Sequence, residues 1–435
     1  MSLAYLQCVE ESCRKRLELG PGPESHACAW CGGLLEVNYN FQSFDPEELR
    51  RLWRQRRQGD GPRDRSGVWR FRELLPFVEP ETRVISLSEG STPLTDVPRT
   101  GRWAGGVRLW VKQQGANPTG SFKDLGMTTC ITWAAMHNVR VVACASTGNT
   151  SSSLAAYAAR AGMEALVVVP HGRISTAKLA QALDFGALAV EVGDTFDQAF
   201  RLLCEVAPEL GLYLTNSINP FRIEGQKTIV PELLEQREWR TPDYIAVPGG
   251  NLGNASAIGK GLRELKALGL IEKVPRLVVV QAAGANPFYR MLASGSAKLD
   301  PMANPDTEAT AIRIGAPANW KKARAVLEWT KGFCESVTDE EIFQAKTALA
   351  QEGVGCEPAS AAAVAGVRKL CQAGKIEPGA EVVAVLTGNQ LKDPDYVLRC
   401  RSEAGADRRQ LRVEPTREAL RAALGGALAA EAKVK

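Results

Sequence analysis

Four short polar segments each follow an apolar run, and each holds residue types able to bind or attack a small molecule. The first is Asn117-Pro118-Thr119-Gly120-Ser121-Phe122-Lys123-Asp124, after RLWVK. Lys123 stands among small residues at the entrance to the apolar stretch MTTCITWAAM. Desolvation in such a setting lowers an amine's pKa and makes it a Schiff-base nucleophile. Taken alone, a lysine after a Ser-Phe turn is more often a surface residue. The second segment, Ser146-Thr147-Gly148-Asn149-Thr150, follows VVACA and opens a helical pattern. Its N–H groups and hydroxyls suit a carboxylate, or equally a helix cap with no ligand. The third, Gly249-Gly250-Asn251-Leu252-Gly253-Asn254, lies between IAVP and ASAIGKGLRELKAL. Its glycines let the backbone cradle a phosphate at a helix N-terminus. It lacks both the Gly-Lys-Thr end of a nucleotide P-loop and the spacing of a dinucleotide fingerprint. The fourth, Thr387-Gly388-Asn389, follows EVVAVL.

The elements that must position these loops are legible from about residue 107. VRVVACAS leads into SLAAYAARAG, ALVVVP into TAKLAQALDFG, and ALAVEVG into TFDQAFRLLCEVAPEL; DYIAVPGG, RLVVVQAAGA and EVVAVLTGN follow. Continuous apolar strands between helices indicate parallel sheets covered on both faces. Ligands of such sheets bind beyond the carboxyl ends of the strands, which is where the four loops lie. A lysine, a carboxylate nest, a phosphate cradle and a hydroxyl together suit pyridoxal phosphate, which needs a Schiff-base lysine, a phosphate cup and a partner for its ring nitrogen.

Composition narrows the alternatives. The chain has 435 residues, 45% hydrophobic and 23% charged, with a net charge of only +4. That balance excludes general disorder and gives no whole-chain reason to expect nucleic acid or a membrane surface. No run approaches a membrane span and the start turns charged too early for a signal peptide, so the expected setting is cytoplasmic. Only His26, His137 and His171 are present, too few and too scattered for a Ser-His-Asp triad or a histidine-rich metal centre. Of eleven cysteines, seven lie singly in apolar or helical contexts and read as small buried hydrophobes.

The other four, Cys8, Cys13, Cys28 and Cys31, form paired knuckles able to present four thiolates to a structural zinc, with His26 as a substitute ligand. The competing reading is a relic module that folds without metal. Residues 45–72 are rich in arginine with Gly-Pro punctuation. They read as a solvated helix and linker, pinned to the body by Trp53, Trp69 and Phe71, in preference to a nucleic-acid surface. The tail after about 400 reads as a terminal helix.

The ordered motifs NPTGSFKDLGM, ASTGNTSSSLAAYAA, NSINPFRIEGQKT, PGGNLGN, ATAIRIGAPANW, CEPASAA and LTGNQLKDP together resemble the threonine synthases. These are members of the tryptophan-synthase-β-like, fold type II pyridoxal-phosphate enzymes. The resemblance covers roughly residues 85–395 and implies an α/β fold: two open, twisted parallel-sheet lobes with a small N-terminal zinc-ribbon-like module. The implied divisions are a Cys-paired module over 1–40 and an Arg-rich helix and linker over 41–84. A large cofactor-binding lobe takes 85–124 and 213–400, a small inserted lobe 125–212, and a helical tail 401–435. By the same resemblance Lys123 is the catalytic, cofactor-bearing lysine and Asn149 faces the cofactor's 3-hydroxyl. Gly250, Asn251, Leu252, Gly253 and Asn254 hold its phosphate, and Thr387 faces the ring nitrogen. Ser146, Thr147, Gly148 and Thr150 take the substrate carboxylate. Asn216, Ser217 and Arg222 grip a substrate phosphate, with Arg173 near the phosphate end. A guanidinium fork beside amide and hydroxyl donors suits a phosphate dianion.

The implied reaction converts O-phospho-L-homoserine and water to L-threonine and phosphate, in a homodimer. The alternatives are β-replacement on O-phosphoserine, as in cysteate synthase, and amino-acid dehydration. The sequence departs from the family pattern at Lys112-Gln113-Gln114-Gly115, at Leu125, at Pro170-His171-Gly172-Arg173 and at Thr387-Gly388-Asn389-Gln390. The last change is expected to alter the wall at the ring nitrogen.

Overall fold

The computed structural model describes residues 3–20, 26–146, 148–171, 176–193, 196–396 and 412–432. Three short strands open the chain: β1 (Ala4–Cys8), β2 (Arg16–Glu18) and β3 (Leu35–Tyr39), paired antiparallel in the order β2-β1-β3. Next come β4 (Leu94–Asp96) and β5 (Arg108–Gln113), then β6 (Val141–Ala145), β7 (Glu164–Val169), β8 (Leu188–Glu191) and β9 (Tyr213–Leu214). The last four are β10 (Tyr244–Pro248), β11 (Arg276–Ala282), β12 (Phe333–Val337) and β13 (Glu381–Leu386). They sort into a six-stranded sheet, β12-β11-β10-β13-β5-β4, and a four-stranded sheet, β8-β7-β6-β9. Every pairing in the two larger sheets is parallel except β4 with β5. All strands of the smaller sheet come from the chain between β5 and β10.

Alternation explains why the apolar runs are continuous. Ile245, Val247, Val279, Val383 and Val385 face one hydrophobic core, while their neighbours Ala246, Val278, Val280, Val382 and Ala384 face a second. A strand buried on both faces must be apolar at successive positions. The first core is shared with the small sheet, through Val142, Cys144, Val167 and Val169. That common core joins the two sheets.

The arginine-rich segment is less solvated than its charge suggests. A helix runs from Pro46 to Arg56, its first N–H groups accepted by Asp45, and Trp53, Trp69 and Phe71 are fully buried. Its cations turn to carboxylates of the same chain: Arg56 to Glu73 at 2.6 Å, Arg70 to Glu235 at 2.6 Å and Arg72 to Asp64 at 2.7 Å. The stretch 66–75 is core and not linker, because a tryptophan and a phenylalanine sink it.

Two helices that carry site residues cross at backbone contact. Lys123–Met136 lies against Pro220–Gln226, where a Cβ on Gly225 would sit 1.7 Å from the Leu125 carbonyl oxygen. A Cβ on Gly126 would sit 2.7 Å from the Arg222 carbonyl oxygen. The crossing is held by Thr129 Oγ1 donating to the Phe221 carbonyl at 2.8 Å and by Trp133 stacked on Phe221 at 4.2 Å.

Residues Met1–Lys392 form one compact unit and Asp393–Lys435 another, whose described helix is Arg417–Ala432. No described helix is long and apolar enough to cross a membrane. The ten described cysteines are free thiols; Cys400 lies outside the described residues. Gly225→Ala should force the two helices apart and destabilise the protein by about 2 kcal/mol or more, as overpacking against backbone does. Urea unfolding of the full chain measures this; an unchanged midpoint would show that the crossing tolerates a methyl group.

Candidate active site

Lys123 is the first residue of its helix, and the loop before it is sewn to the end of β13. Ser121 makes an antiparallel bridge with Gly388, Phe122 N–H donates to the Thr387 carbonyl at 3.0 Å, and Asn389 N–H donates to the Gly120 carbonyl at 2.9 Å. Buried Asp124 ties the same loop to the helix Asn149–Ala161. It accepts from Thr119 N–H at 2.7 Å, Thr119 Oγ1 at 2.6 Å and Ser153 Oγ at 2.6 Å. Three of the four polar segments read from the sequence thus converge on one point.

At that point lies a group that the sequence reading did not assign. Glu357 is fully buried and accepts from Asn149 Nδ2 at 2.9 Å and from Thr387 Oγ1 at 3.2 Å. Ser360 Oγ lies 3.0 Å from Thr387 Oγ1 and accepts from Gly388 N–H at 3.0 Å. A Cβ on Gly388 would lie 2.4 Å from the Glu357 carboxyl carbon, so position 388 must be glycine for the carboxylate to fit. The available signal was a lone acid between Cys356 and Pro358 at the mouth of an alanine-rich helix.

The Lys123 amine has no hydrogen-bond acceptor among the described residues and lies 4.4 Å from the centre of the Phe122 ring. Burial pushes its pKa down, the Arg222 guanidinium pushes it further, and Glu357 opposes both, leaving it at about 7. An amine poised there can hold or release a proton at neutral pH.

Beyond β10 the backbone turns at Gly249 and Gly250, where a Cβ on Gly250 would approach the Ala311 carbonyl to 3.1 Å. Leu252 takes a left-handed φ of 63° and caps the helix Gly253–Ala267. Asn251 Oδ1 accepts from Ala318 N–H at 2.6 Å, whereas both polar atoms of the buried Asn254 side chain have no partner. Asn319 Nδ2 donates to the Ser217 carbonyl at 3.1 Å and to the Asn251 carbonyl at 3.3 Å, which brings the 216–222 segment beside this turn.

In that segment Arg222 is 1% exposed. Its Nη1 donates to the Thr215 carbonyl at 2.8 Å, but its Nε and Nη2, like Ser217 Oγ, are buried and unmatched. Asn216 points elsewhere: its amide pairs with the Ala145 backbone, accepting from N–H at 3.1 Å and donating to the carbonyl at 2.8 Å. It fastens the segment to the end of β6. Leaving a buried donor unsatisfied costs about 1–3 kcal/mol, and native structures rarely concentrate such groups. Arg222 Nε and Nη2, the Ser217 hydroxyl and Asn254 Nδ2 are donors suited to an acceptor-rich ligand, while Asn149 Oδ1 and Asn254 Oδ1 would take donors from it.

Of the remaining expected residues, Ser146 Oγ accepts from Gly148 N–H at 3.1 Å and Thr150 is half-buried. Thr147 and Arg173 lie outside the described residues. The Asn389 amide bonds away from Thr387, donating to the Gly115 carbonyl at 3.2 Å and accepting from Leu391 N–H at 3.0 Å. It staples loops together. The sulfurs of Cys8, Cys13, Cys28 and Cys31 lie within 4.8 Å of one another, while His26 packs edge-on against Tyr213 at 5.3 Å and is not in the cluster.

Competitive acetylation of Lys123 in cofactor-free protein, read by mass spectrometry, should reach half its maximum near pH 7. Arg222→Gln should move that midpoint up and Glu357→Gln should move it down, following the sign of each removed charge. A midpoint near the usual lysine value of about 10.4 in all three proteins would remove the electrostatic coupling.

Residues 85–388 match the model of the pyridoxal-phosphate dependent enzymes. The threonine synthase of Methanocaldococcus jannaschii is 45% identical over 374 residues, 86% of this chain and 90% of that protein. The threonine synthase of Methanosarcina acetivorans is 42% identical over 397 residues, 91% and 93% of the two chains. The crystal structure of threonine synthase from Escherichia coli aligns with a TM-score of 0.70 over 96% of this chain and 94% of that one, and at 19% identity it speaks for the fold. Since the family match runs from before β4 to Gly388 and takes in all the loops of the site, this chain belongs to the pyridoxal-phosphate dependent enzyme family.

Proposed function

We propose that the chain acts as a threonine synthase, converting O-phospho-L-homoserine and water to L-threonine and phosphate. The observation that carries this reading is Arg222. A buried guanidinium with two unmatched donors, in the same short segment as the unmatched Ser217 hydroxyl, suits an anion such as a substrate phosphate. The relatives at 42–45% identity that bear the name threonine synthase support it.

The residues fit the cofactor of the family. Lys123 would hold it through its near-neutral amine, Gly250 to Asn254 would take its phosphate, Asn149 Oδ1 would face its 3-hydroxyl, and Thr387 its ring nitrogen. When bound, pyridoxal phosphate supplies an electron sink for negative charge developing on the substrate. The chain supplies the rest. The N-terminal end of the helix Asn149–Ala161, with Gly148 before it, takes the substrate carboxylate, whose charge suits the helix dipole. Once the substrate amine has replaced it on the cofactor, the freed Lys123 Nζ, an amine that burial and Arg222 hold at a near-neutral pKa, can take a proton from substrate Cα and return one. Arg222 and Ser217 hold the departing phosphate, and Asn216 keeps Ser217 in place through its grip on Ala145. Glu357 fixes Asn149 and Thr387 at once, so the two groups facing the ring are aligned by one carboxylate. The homodimer that the resemblance implies belongs to the same reading, and light scattering of the full chain checks it.

The decisive assay offers full-length protein loaded with pyridoxal phosphate either O-phosphohomoserine alone or O-phosphoserine with sulfite. Threonine and phosphate released one for one from the first supports the reading. Turnover of the second pair alone would replace it with β-replacement on a substrate one methylene shorter. Arg222→Gln should lower kcat/KM about 10–100-fold, the value of one or two hydrogen bonds to a charged group, with cofactor still bound; unchanged kinetics would take Arg222 out of the phosphate site. Lys123→Ala should abolish turnover, and a variant with near-normal turnover would remove the catalytic role of Lys123.

A further inference from the structure

We infer that the N-terminal three-stranded module binds a soft divalent cation, zinc by preference, through Cys8, Cys13, Cys28 and Cys31, and that the loaded module positions the phosphate-gripping segment 215–224. Cys8 Sγ lies 3.4 Å from Cys31 Sγ and Cys13 Sγ 3.8 Å from Cys28 Sγ, with all four sulfurs within 4.8 Å. A tetrahedron with Zn–S bonds of about 2.3 Å has sulfur–sulfur edges of about 3.8 Å. A disulfide needs about 2 Å, which neither pair approaches. Thiolates on two knuckles select a soft, tetrahedral ion.

The turn at the second knuckle is built for close sulfur approach. Gly32 takes a φ of +70°, its N–H donating to the Cys28 carbonyl at 2.8 Å, and Cys28 N–H donates to the Gly33 carbonyl at 2.7 Å. A Cβ on Gly33 would stand 3.2 Å from Cys8 Sγ and 3.3 Å from Cys31 Sγ, crowding the centre of the cluster. Strands of five, three and five residues bury too little apolar surface to fold alone, and modules of this size usually need a metal or disulfides.

The module's contacts give the metal its consequence. Tyr39 Oη on β3 donates to Glu224 Oε2 at 2.6 Å, and Glu224 shares the helix Pro220–Gln226 with Arg222. Lys260 Nζ joins the Val37 carbonyl to the Glu224 carboxylate, and Lys322 Nζ donates to the Leu35 carbonyl at 3.1 Å. His26, between the knuckles in sequence, packs against Tyr213 of β9, two residues before the Thr215 carbonyl that takes Arg222 Nη1. Both flanks of the phosphate segment therefore rest on the module. Ala4, Leu6, Leu35 and Val37 lodge β1 and β3 in the main core, so without the metal it is the knuckles at the end of β1 and before β3 that loosen, and β3 passes that loosening to Tyr39.

The metal assignment stands by itself, while the positioning role rests on the phosphate-site reading above. Full-length holoenzyme should contain one zinc per chain. Cobalt exchanged into it should give the intense tetrahedral thiolate absorption, which Cys28→Ser with Cys31→Ser should abolish. Holoenzyme free of zinc, with no such cobalt spectrum, would overturn the site. Releasing the zinc should weaken inorganic phosphate, read as a competitive inhibitor and by direct calorimetry, at least tenfold, and returning zinc should restore it. Tyr39→Phe, which should keep the metal and the cofactor's colour, should raise KM and weaken phosphate about fivefold with little change in kcat. If neither zinc release nor Tyr39→Phe moves phosphate affinity while Arg222→Gln does, the positioning role fails. If Arg222→Gln also leaves phosphate affinity unchanged, it is the phosphate-site reading that fails, with the cobalt spectrum still deciding the metal.

Discussion

The crossing of the helices Lys123–Met136 and Pro220–Gln226 is the constraint on which the site depends. Two glycines, Gly126 and Gly225, remove the side chains that would keep the helices apart, and backbone meets backbone. This brings the Lys123 amine close enough to Arg222 for the guanidinium to depress its pKa. One helix belongs to the chain entering the small sheet, the other to the chain leaving it. The contact therefore closes the insertion and assembles the chemistry together. Thr129 and the Trp133–Phe221 stack lock the crossing angle. Protein interiors transmit small displacements because they are close-packed, so the position of Arg222 is fixed by packing well outside the site.

Charge burial is the second theme. Lys123 and Arg222 follow β5 and β9, and Glu357 caps the helix Pro358–Gln372 beside the end of β13, all in surroundings that would ordinarily exclude charge. Burial lowers the pKa of the Lys123 amine most, Arg222 lowers it further and Glu357 opposes them only in part, leaving it at about 7. Because Arg222 outweighs Glu357, the two charges together hold the amine further towards its neutral form than burial alone would. The unmatched atoms of Arg222, Ser217 and Asn254 are held by neighbours that are themselves matched, such as Asn216 on Ala145 and Asp124 on Thr119 and Ser153. Groups preorganised in this way need no rearrangement when charge arrives.

The buried network around Glu224 shows how a small appended module can matter to a distant site. Glu224 is fully buried and meets Lys227 at 2.5 Å, Lys260 and the Tyr39 hydroxyl, while Lys227 also reaches Glu264 at 2.7 Å. Breaking a buried pair by removing one partner costs about 3–5 kcal/mol, so these groups hold their relative positions strongly. The network joins β3 to the helix that bears Arg222. The same carboxylate ties the N-terminal strands to the segment that carries Arg222.

Much of this was legible in the sequence, because local patterns are written locally. Apolar runs alternating with helical stretches determined the parallel sheets, and the lysine, serine-threonine and glycine loops after strands marked where a cofactor and substrate would sit. The paired cysteines marked their own cluster. Other features required the folded chain. Glu357 is one acid among many in sequence, and only the approach of the β13 end to the helix Pro358–Gln372 gives it Asn149 and Thr387 as partners. Asn216 looked like a ligand, yet tertiary pairing turns it onto the Ala145 backbone. Asn389 looked like a change in the site wall, and only the fold shows its amide donating to Gly115. Arg70 and Arg56 read as solvated cations until Glu235, from a distant segment, and Glu73, from the next turn of their own segment, meet them. The physical reason is common to all of these. Residue type and spacing determine what a side chain can do, while burial and the partners brought from elsewhere in the chain decide which of those things it does.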